Sequence, residues 1–167
     1  MALDRTRSLR GALAGTVAAA VWYAQQPLDK RVFGVAYDDA ELLASLVRRP
    51  LGAGVALHLA NGALFGAAYA AAAPSAPLHP MLRGPLAGLA EHLATWPAMA
   101  VVAPDLWGSG RAFAQAAWRH LVFGFVLGEL ERRLNPPAAD LEPIGEAAAA
   151  TNGHGSAAHL VASGPAR

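Results

Sequence analysis

The chain has 167 residues, of which 54% are hydrophobic and 15% are charged, and its formal net charge is +1. The charged fraction is well below the roughly 25% of an average soluble domain, and the near-neutral charge argues against a nucleic-acid or strongly acidic partner. Cysteine is absent, which excludes disulfides, thiol catalysis, iron–sulfur clusters and cysteine-based zinc sites.

Four long stretches of the sequence are nearly free of charge. Each is close to the ~20 residues that a helix needs to cross about 30 Å of hydrocarbon. They predict an all-α fold in which residues 1–134 form a four-helix transmembrane bundle. The predicted spans are residues 11–26, 51–73, 84–103 and 112–128. Pro27 is expected to end the first span, with Trp22 and Tyr23 at the membrane interface.

Two other interpretations of these stretches were weighed. A soluble, alanine-rich four-helix bundle needs a charged outer stripe on each helix, but residues 51–82 contain no Lys, Arg, Asp or Glu. A cleaved signal peptide would explain the basic N-terminus and the apolar run after it, with Ala18 and Ala20 near the cleavage site. The internal repeat described below favours a membrane span instead.

The connecting segments have their own patterns. Residues 38–49 have acidic residues in the first turn and basic residues in the last, which predicts a short helix. Leu42, Leu43, Leu46 and Val47 fall on one side of it, so this helix is expected to lie on the membrane surface. Residues 135–167, rich in Ala, Gly, Ser and Pro, are predicted to be a disordered tail.

The charge-poor stretches form an internal repeat. Residues 9–15 and 82–88 share the pattern L-R-G-x-L-A-G, and residues 58–66 and 120–128 share H-L-x-x-G-x-x-x-G. The two patterns recur in the same order, which predicts two copies of one helical hairpin. Because each copy crosses the membrane twice, the copies should be related by a pseudo-two-fold axis along the membrane normal.

Every predicted span carries a G-x-x-x-G motif. In lipid, helices associate through close backbone approach at small residues, so these glycines are predicted to pack the four helices together. A glycine stripe that is not covered by another helix of the same chain would also allow the chain to form a homo-oligomer. The eight glycines are Gly11, Gly15, Gly62, Gly66, Gly84, Gly88, Gly124 and Gly128.

The positive charges predict an orientation. Arg5, Arg7, Arg10, Arg83, Arg132 and Arg133 fall on one side of the predicted membrane, and Lys30, Arg31, Arg48, Arg49 and Arg111 fall on the other. The dense cluster before the first helix usually decides which side is cytoplasmic. Both termini are therefore expected in the cytoplasm.

Polar residues inside the predicted spans form one candidate cluster of His58, Glu91, His92, Arg119 and His120. The three histidines continue the glycine stripes at intervals of four residues, so they should face neighbouring helices at similar depth. Three interpretations stay open. In the first, Glu91 and Arg119 form an interhelical ion pair while the histidines hydrogen-bond across helices.

In the second interpretation the cluster is a proton- or ion-responsive site on a transport or permeation path. In the third, His58 and His120 are the axial ligands of a haem. No metal site is predicted, because no single helix presents two of these histidines at ligand spacing.

No enzyme motif is present in the sequence. Ser45 and Ser109 lack a recognisable His/Asp context, and there is neither a P-loop nor G-x-G-x-x-G. Residues 119–128, following residues 91–97, resemble the ending of small bacterial four-helix membrane proteins of the YagU-like inner-membrane group. The resemblance covers about residues 8–134. It implies an inner-membrane location and a four-span fold, but no activity, cofactor or functional residue.

We therefore expect a non-enzymatic inner-membrane protein with a structural or interaction role and the lipid bilayer as its main partner. The alternative is a small transporter or channel that uses the buried His, Glu and Arg residues, and a haem-binding redox carrier is the remaining candidate.

Overall fold

The computed structural model describes residues 4–136, and their regular structure is entirely helical, which confirms the all-α prediction. The helices are α1 (Arg5–Phe33), α2 (Asp39–Leu46), α3 (Leu51–Ala72), α4 (Pro80–Thr95), α5 (Met99–Val102), α6 (Pro104–Trp107) and α7 (Gly110–Leu134). Turns of 3-10 helix follow α3 and α4, at Ala73–Ser75 and Trp96–Ala98. Beyond residue 136, the predicted tail lies outside the described residues.

Helix α1 is longer than the predicted first span. Asp4 caps its start by accepting a hydrogen bond from the Arg7 amide at 3.1 Å. Gly34, with a φ of 65°, ends it in the left-handed conformation that glycine adopts at little cost. The prediction that Pro27 ends this helix is wrong: proline removes one helical hydrogen bond, but the helix continues because Asp29 beyond it is anchored by buried contacts.

Trp22 is also placed differently from the prediction. Its side chain is 5% exposed and lies in the core, so the expected interfacial position is wrong for this residue. The reason is the extra length of α1, which puts Trp22 three turns before the end of the helix rather than at it.

The predicted glycines bring the long helices together in two antiparallel pairs. A Cβ added at Gly15 of α1 would lie 2.9 Å from the Gly66 Cα of α3. A Cβ added at Gly84 of α4 would lie 2.9 Å from the Gly128 Cα of α7. No side chain fits at such a distance, so α1–α3 and α4–α7 meet backbone against backbone, and the two pairs are the two copies of the sequence repeat.

The two hairpins are joined along α1 and α7, which also run antiparallel. At one end, Arg7 forms an ion pair with Glu131 and donates to the Ala70 carbonyl at 2.7 Å. Over residues 4–136 the most extensive contacts between helices are α1–α3, α4–α7, α1–α7 and α2–α3. Helices α3 and α4 do not form such a pair. We call the gap between Leu51–Ala72 and Pro80–Thr95 the α3–α4 seam.

The third predicted span, residues 84–103, is not one continuous α-helix. Helix α4 ends at Thr95, and the 3-10 turn at Trp96–Ala98 separates it from α5. Pro97 lies in this turn, where its missing amide hydrogen interrupts the α-helical bonding pattern.

Within the described residues, one helical segment is long and apolar enough to cross a membrane by length and composition. It is Leu51–Ser75, with a mean hydropathy of 1.4. The remaining long helices carry more polar residues, such as Gln26 in α1 and Arg119 in α7. The four-span arrangement is therefore taken up below as a proposal.

Helix α2 covers the end of the bundle where α1 stops. Asp38 caps it by accepting hydrogen bonds from the amides of Ala40 and Glu41. Its buried face, Ala40 and Ala44, packs on Gly54 of α3. Leu42, Leu43 and Leu46 of this helix line a cavity, while Leu46 and Val47 are 52% and 45% exposed, and the predicted position of the helix on a membrane surface stays a prediction.

Candidate functional site

Arg119 is the centre of a buried ion-pair network. Its side chain is fully buried and donates to both carboxylate oxygens of Asp29, at 2.7 and 2.6 Å. It also donates to Asp39 at 2.7 Å and to the Tyr37 carbonyl at 3.0 Å. Such bidentate, charge-assisted bonds are the strongest that a guanidinium makes. The buried Arg119 guanidinium therefore joins α7 to the end of α1 and to the start of α2 by ion pairs.

The predicted partner of Arg119 is wrong. The sequence interpretation paired it with Glu91, but the structure pairs it with Asp29 and Asp39. The prediction ends the first membrane span at Pro27, and Asp29 is therefore not considered as a partner inside the membrane. A signal was nevertheless present, because the small and buried residues of α1 continue at helical spacing through Trp22 and Gln26 to Asp29.

Asp39 connects this network to the histidines. It accepts hydrogen bonds from the indole N–H of Trp22 at 2.9 Å and from the Tyr37 hydroxyl at 2.5 Å. Burial, together with the neighbouring Asp39 carboxylate, raises the pKa of Tyr37 far above its ordinary value. Tyr37 therefore stays a hydrogen-bond donor at every physiological pH, and three donors hold the Asp39 carboxylate in place.

Gln115 and Lys30 complete the polar end of the bundle. Gln115 is fully buried and donates to Asp29 at 2.7 Å and to the Val35 carbonyl at 3.2 Å. Lys30 donates to Asp38 at 2.7 Å. Burial alone would raise the pKa of Asp38, but the bonds from Lys30 and from two backbone amides outweigh it and hold the pKa below its usual value.

The three predicted histidines lie close together. The Trp22 ring centroid lies 5.3 Å from that of His58 and 4.5 Å from that of His120. The rings of His120 and His92 are 4.9 Å apart. His58 contacts another helix through the Ala19 carbonyl, at 3.2 Å. His120 instead bonds the Ala116 carbonyl of its own helix, at 2.8 Å, so interhelical bonding applies to His58 and not to His120.

His92 has a different environment from the other two. Its side chain is 1% exposed, and its Nε2 atom has no hydrogen-bond partner within the described residues. A buried polar nitrogen without a partner costs about 1–3 kcal/mol. The hydrogen-bonding capacity of this nitrogen is therefore unused within the described residues.

A cavity of about 300 Å³ lies beside the histidines and the Asp39 carboxylate. Four of the five predicted cluster residues line it, His58, Glu91, His92 and His120, whereas Arg119 lies outside it. Its walls are otherwise aromatic and aliphatic, with Trp22, Trp96 and Phe123 among them. This volume is at the lower end of the range for small-molecule sites.

The site offers little support for a haem or a bound metal. The rings of His58 and His120 both pack against the Trp22 indole, so each imidazole already has an aromatic neighbour. Among residues 4–136, no group of three His, Asp or Glu side chains is arranged to hold a metal ion.

Comparison of the chain with protein-family models, curated proteins and solved structures gave no significant match. The interpretation of this site therefore depends on its geometry alone.

Proposed function

We propose that residues 4–136 form a domain that crosses a membrane four times, through α1, α3, α4–α5 and α7. The observation that carries this proposal is that charged and polar side chains are buried while large apolar side chains are exposed, the reverse of the usual pattern in a water-soluble protein. The largest fully buried side chains include Arg119, His92, Gln115 and Asp29. In water-soluble proteins Arg, Asp and Gln are mostly exposed, whereas in hydrocarbon such residues are expected to face the bundle interior.

The outer surface supports the same proposal. Large apolar side chains are exposed along every long helix, including Leu9 at 72%, Leu64 at 72% and Leu93 at 62%. A monomer in water rarely exposes apolar patches of more than a few hundred Å². In a bilayer these leucines would contact lipid chains, so their apolar surface would not be exposed to water.

We further propose the bacterial inner membrane as the location, with both termini cytoplasmic. The proposal is supported by the resemblance to the YagU-like group and by Arg5, Arg7 and Arg10 in the first turns of α1. The ion pair between Arg7 and Glu131 is in keeping with it, because it holds the start of α1 beside the end of α7.

Alkaline carbonate extraction of membranes tests whether the chain is inserted. We expect the protein to stay in the membrane pellet together with a known multi-span protein, because only covered, inserted helices resist this treatment. Release into the carbonate supernatant, where a peripheral control protein is found, would show that the chain does not span the bilayer.

For the role of the domain, we propose that it binds or passes a small molecule or ion through the cavity, without a catalytic step. A purely structural role explains Arg119, whose donors are engaged by Asp29 and Asp39. It does not explain why Glu91 and the unpartnered His92 line an open space. Polar groups in a membrane interior are costly, and those left without protein partners commonly mark ligand or ion pathways.

Cysteine labelling tests this role, since the natural chain has no cysteine and gives no background. Asn61 lines the cavity, and its neighbour Ala60 is exposed but does not. We expect a small water-soluble methanethiosulfonate reagent to modify Asn61→Cys in the native membrane and to leave Ala60→Cys unmodified. If neither cysteine reacts while both react after denaturation, the cavity is closed to polar molecules and the structural role stands.

A further inference from the structure

Glu91 is an acidic residue of the cavity without an ion pair among the described residues, and the Asn61 side chain is its hydrogen-bonding neighbour. Two acidic residues line the cavity, Asp39 and Glu91, and Asp39 forms an ion pair with Arg119, which it shares with Asp29. No Lys or Arg is among the cavity-lining residues, and within residues 4–136 none forms an ion pair with Glu91. In a membrane interior an ionised carboxylate needs a cationic partner, and the cavity provides the space for one from outside the chain.

The hydrogen-bonding groups beside Glu91 select the kind of cation. His92 presents a buried Nε2 without a partner, and in the neutral ring one of the two nitrogens is an acceptor. A ligand with an N–H group can donate to both His92 and Glu91. A metal ion fits less well, because the described residues contain no cluster of three potential ligands.

The walls of the cavity favour an organic cation. Trp22, Trp96 and Phe123 line it, and aromatic rings attract ammonium groups through their negative faces. Met99 and Val102 add apolar surface. A carboxylate surrounded by aromatic rings is complementary to an amine that carries hydrocarbon.

The α3–α4 seam supplies the room for that hydrocarbon. Asn61 and Thr95 line the cavity from α3 and α4, and both are exposed. Leu57 and Leu64 lie on the same face of α3 as Asn61 and are 40% and 72% exposed. A ligand with its polar group at Glu91 can therefore extend an apolar substituent through the seam toward the lipid.

We infer that the cavity binds an amphipathic organic ammonium ion that carries at least one N–H, with Glu91 and His92 as the groups that recognise it. The inference depends on the proposed binding role and names the class of ligand for the same site. The head group lies against Glu91, His92 and the aromatic walls, and the hydrocarbon lies in the α3–α4 seam.

Four probes that share a six-carbon chain test the inference on the full chain purified in a mild detergent: hexylammonium, hexyltrimethylammonium, hexanol and hexanoate. Binding is followed by isothermal titration calorimetry and by the thermal unfolding midpoint. We expect hexylammonium to bind most tightly and to raise the midpoint, hexyltrimethylammonium to bind more weakly because it has no N–H, and hexanol and hexanoate to leave the midpoint unchanged.

Variants separate recognition from folding. Glu91→Gln should weaken hexylammonium binding at least tenfold, and Glu91→Asp should retain part of the affinity because it retains the charge. His92→Phe should reduce the preference for hexylammonium over hexyltrimethylammonium, since the ring remains but the acceptor is lost. Glu129→Gln is the matched control, because this carboxylate bonds Arg132 and Arg133 away from the cavity, and it should bind as the natural chain does.

The possible failures are distinguishable. If hexanol or hexanoate binds as well as hexylammonium, or if Glu91→Gln binds hexylammonium normally, the ammonium inference is wrong, although a binding cavity remains. If none of the probes binds but Asn61→Cys is labelled, the inference again falls while the binding role stands. If none binds and Asn61→Cys is also unreactive, both fall together.

Discussion

At the scale of single residues, the buried Arg119 decides how the polar end of the bundle is held. A buried ion pair is rarely a net gain over apolar packing, but removing one partner leaves an uncompensated buried charge. Arg119 and Asp29 are both almost completely inaccessible, with side chains 0% and 1% exposed. Their effect on stability should therefore depend strongly on whether the partner is present.

We expect Arg119→Gln and Asp29→Asn each to lower the free energy of unfolding by about 3–5 kcal/mol. The double variant should lose less than the sum of the two, because it removes the Asp29–Arg119 pair as a whole and only Asp39 is left without its cationic partner. Thermal unfolding in detergent measures all three. The exposed Arg133→Gln serves as the control and should change stability by less than about 0.5 kcal/mol. Additive losses in the double variant would contradict the pairing.

The Asp38 carboxylate gives the folded state a specific dependence on acid. Because folding lowers its pKa, the stability it contributes is complete above its unfolded value and is lost as the pH falls through that value toward the folded one. We expect the natural chain to lose up to about 1 kcal/mol between roughly pH 5 and pH 3 from this site, since the group is partly exposed.

Asp38→Asn should remove that part of the acid sensitivity while keeping the helix cap, because asparagine caps helices as well as aspartate does. The measurement is the unfolding midpoint across this pH range. Asp105→Asn, an exposed acidic residue in the first turn of α6, is the matched control. An Asp38→Asn curve that parallels the natural one would show that Asp38 does not contribute.

At the scale of helices, the two hairpins depend on glycines that lie against backbone. A Cβ at Gly62 would lie 2.7 Å from the Gly15 carbonyl oxygen, and one at Gly124 would lie 2.8 Å from the Gly84 carbonyl carbon. The neighbouring atoms cannot rotate away as a flexible side chain does, so each pair of helices would have to separate.

We therefore expect Gly62→Ala and Gly124→Ala each to cost about 1–3 kcal/mol of stability through overpacking. Gly52→Ala and Gly110→Ala are the controls, because nothing lies within 4 Å of a Cβ at either position. These should be neutral or slightly stabilising, since alanine favours the helix. Thermal unfolding of the four variants compares them directly, and equal losses at all four positions would contradict glycine-mediated packing.

The sequence predicted the helices better than it predicted their contacts. The charge-poor stretches and the G-x-x-x-G motifs identified the long helices and their buried faces, because both are periodic and local. The partners of Arg119 were missed because the prediction stopped α1 at Pro27, and local rules cannot tell that distant contacts hold a helix together beyond a proline. The cavity was likewise beyond prediction, since it depends on how helices are spaced.

At the scale of the whole molecule, the proposed topology places each connection on a definite side of the membrane. Single cysteines at Ser75 and Arg132 should be cytoplasmic, and those at Ala36, Arg48 and Gly108 should be periplasmic. In intact spheroplasts, a membrane-impermeant maleimide should label the second group and spare the first until the membrane is broken. Labelling of all five alike, or the reverse pattern, would contradict the orientation.

The open α3–α4 seam has a consequence for symmetry. If the two hairpins obeyed their pseudo-two-fold axis, the packed contact between α1 and α7 would have an equivalent between α4 and α3. That equivalent is absent. When the repeats are aligned, the positions that correspond to Asp29 and Arg119 are Val102 and Leu57. The ion pair that joins α1 to α7 therefore has no counterpart between α4 and α3. The two hairpins are therefore not equivalent at this contact, and the proposed ligand site depends on that difference.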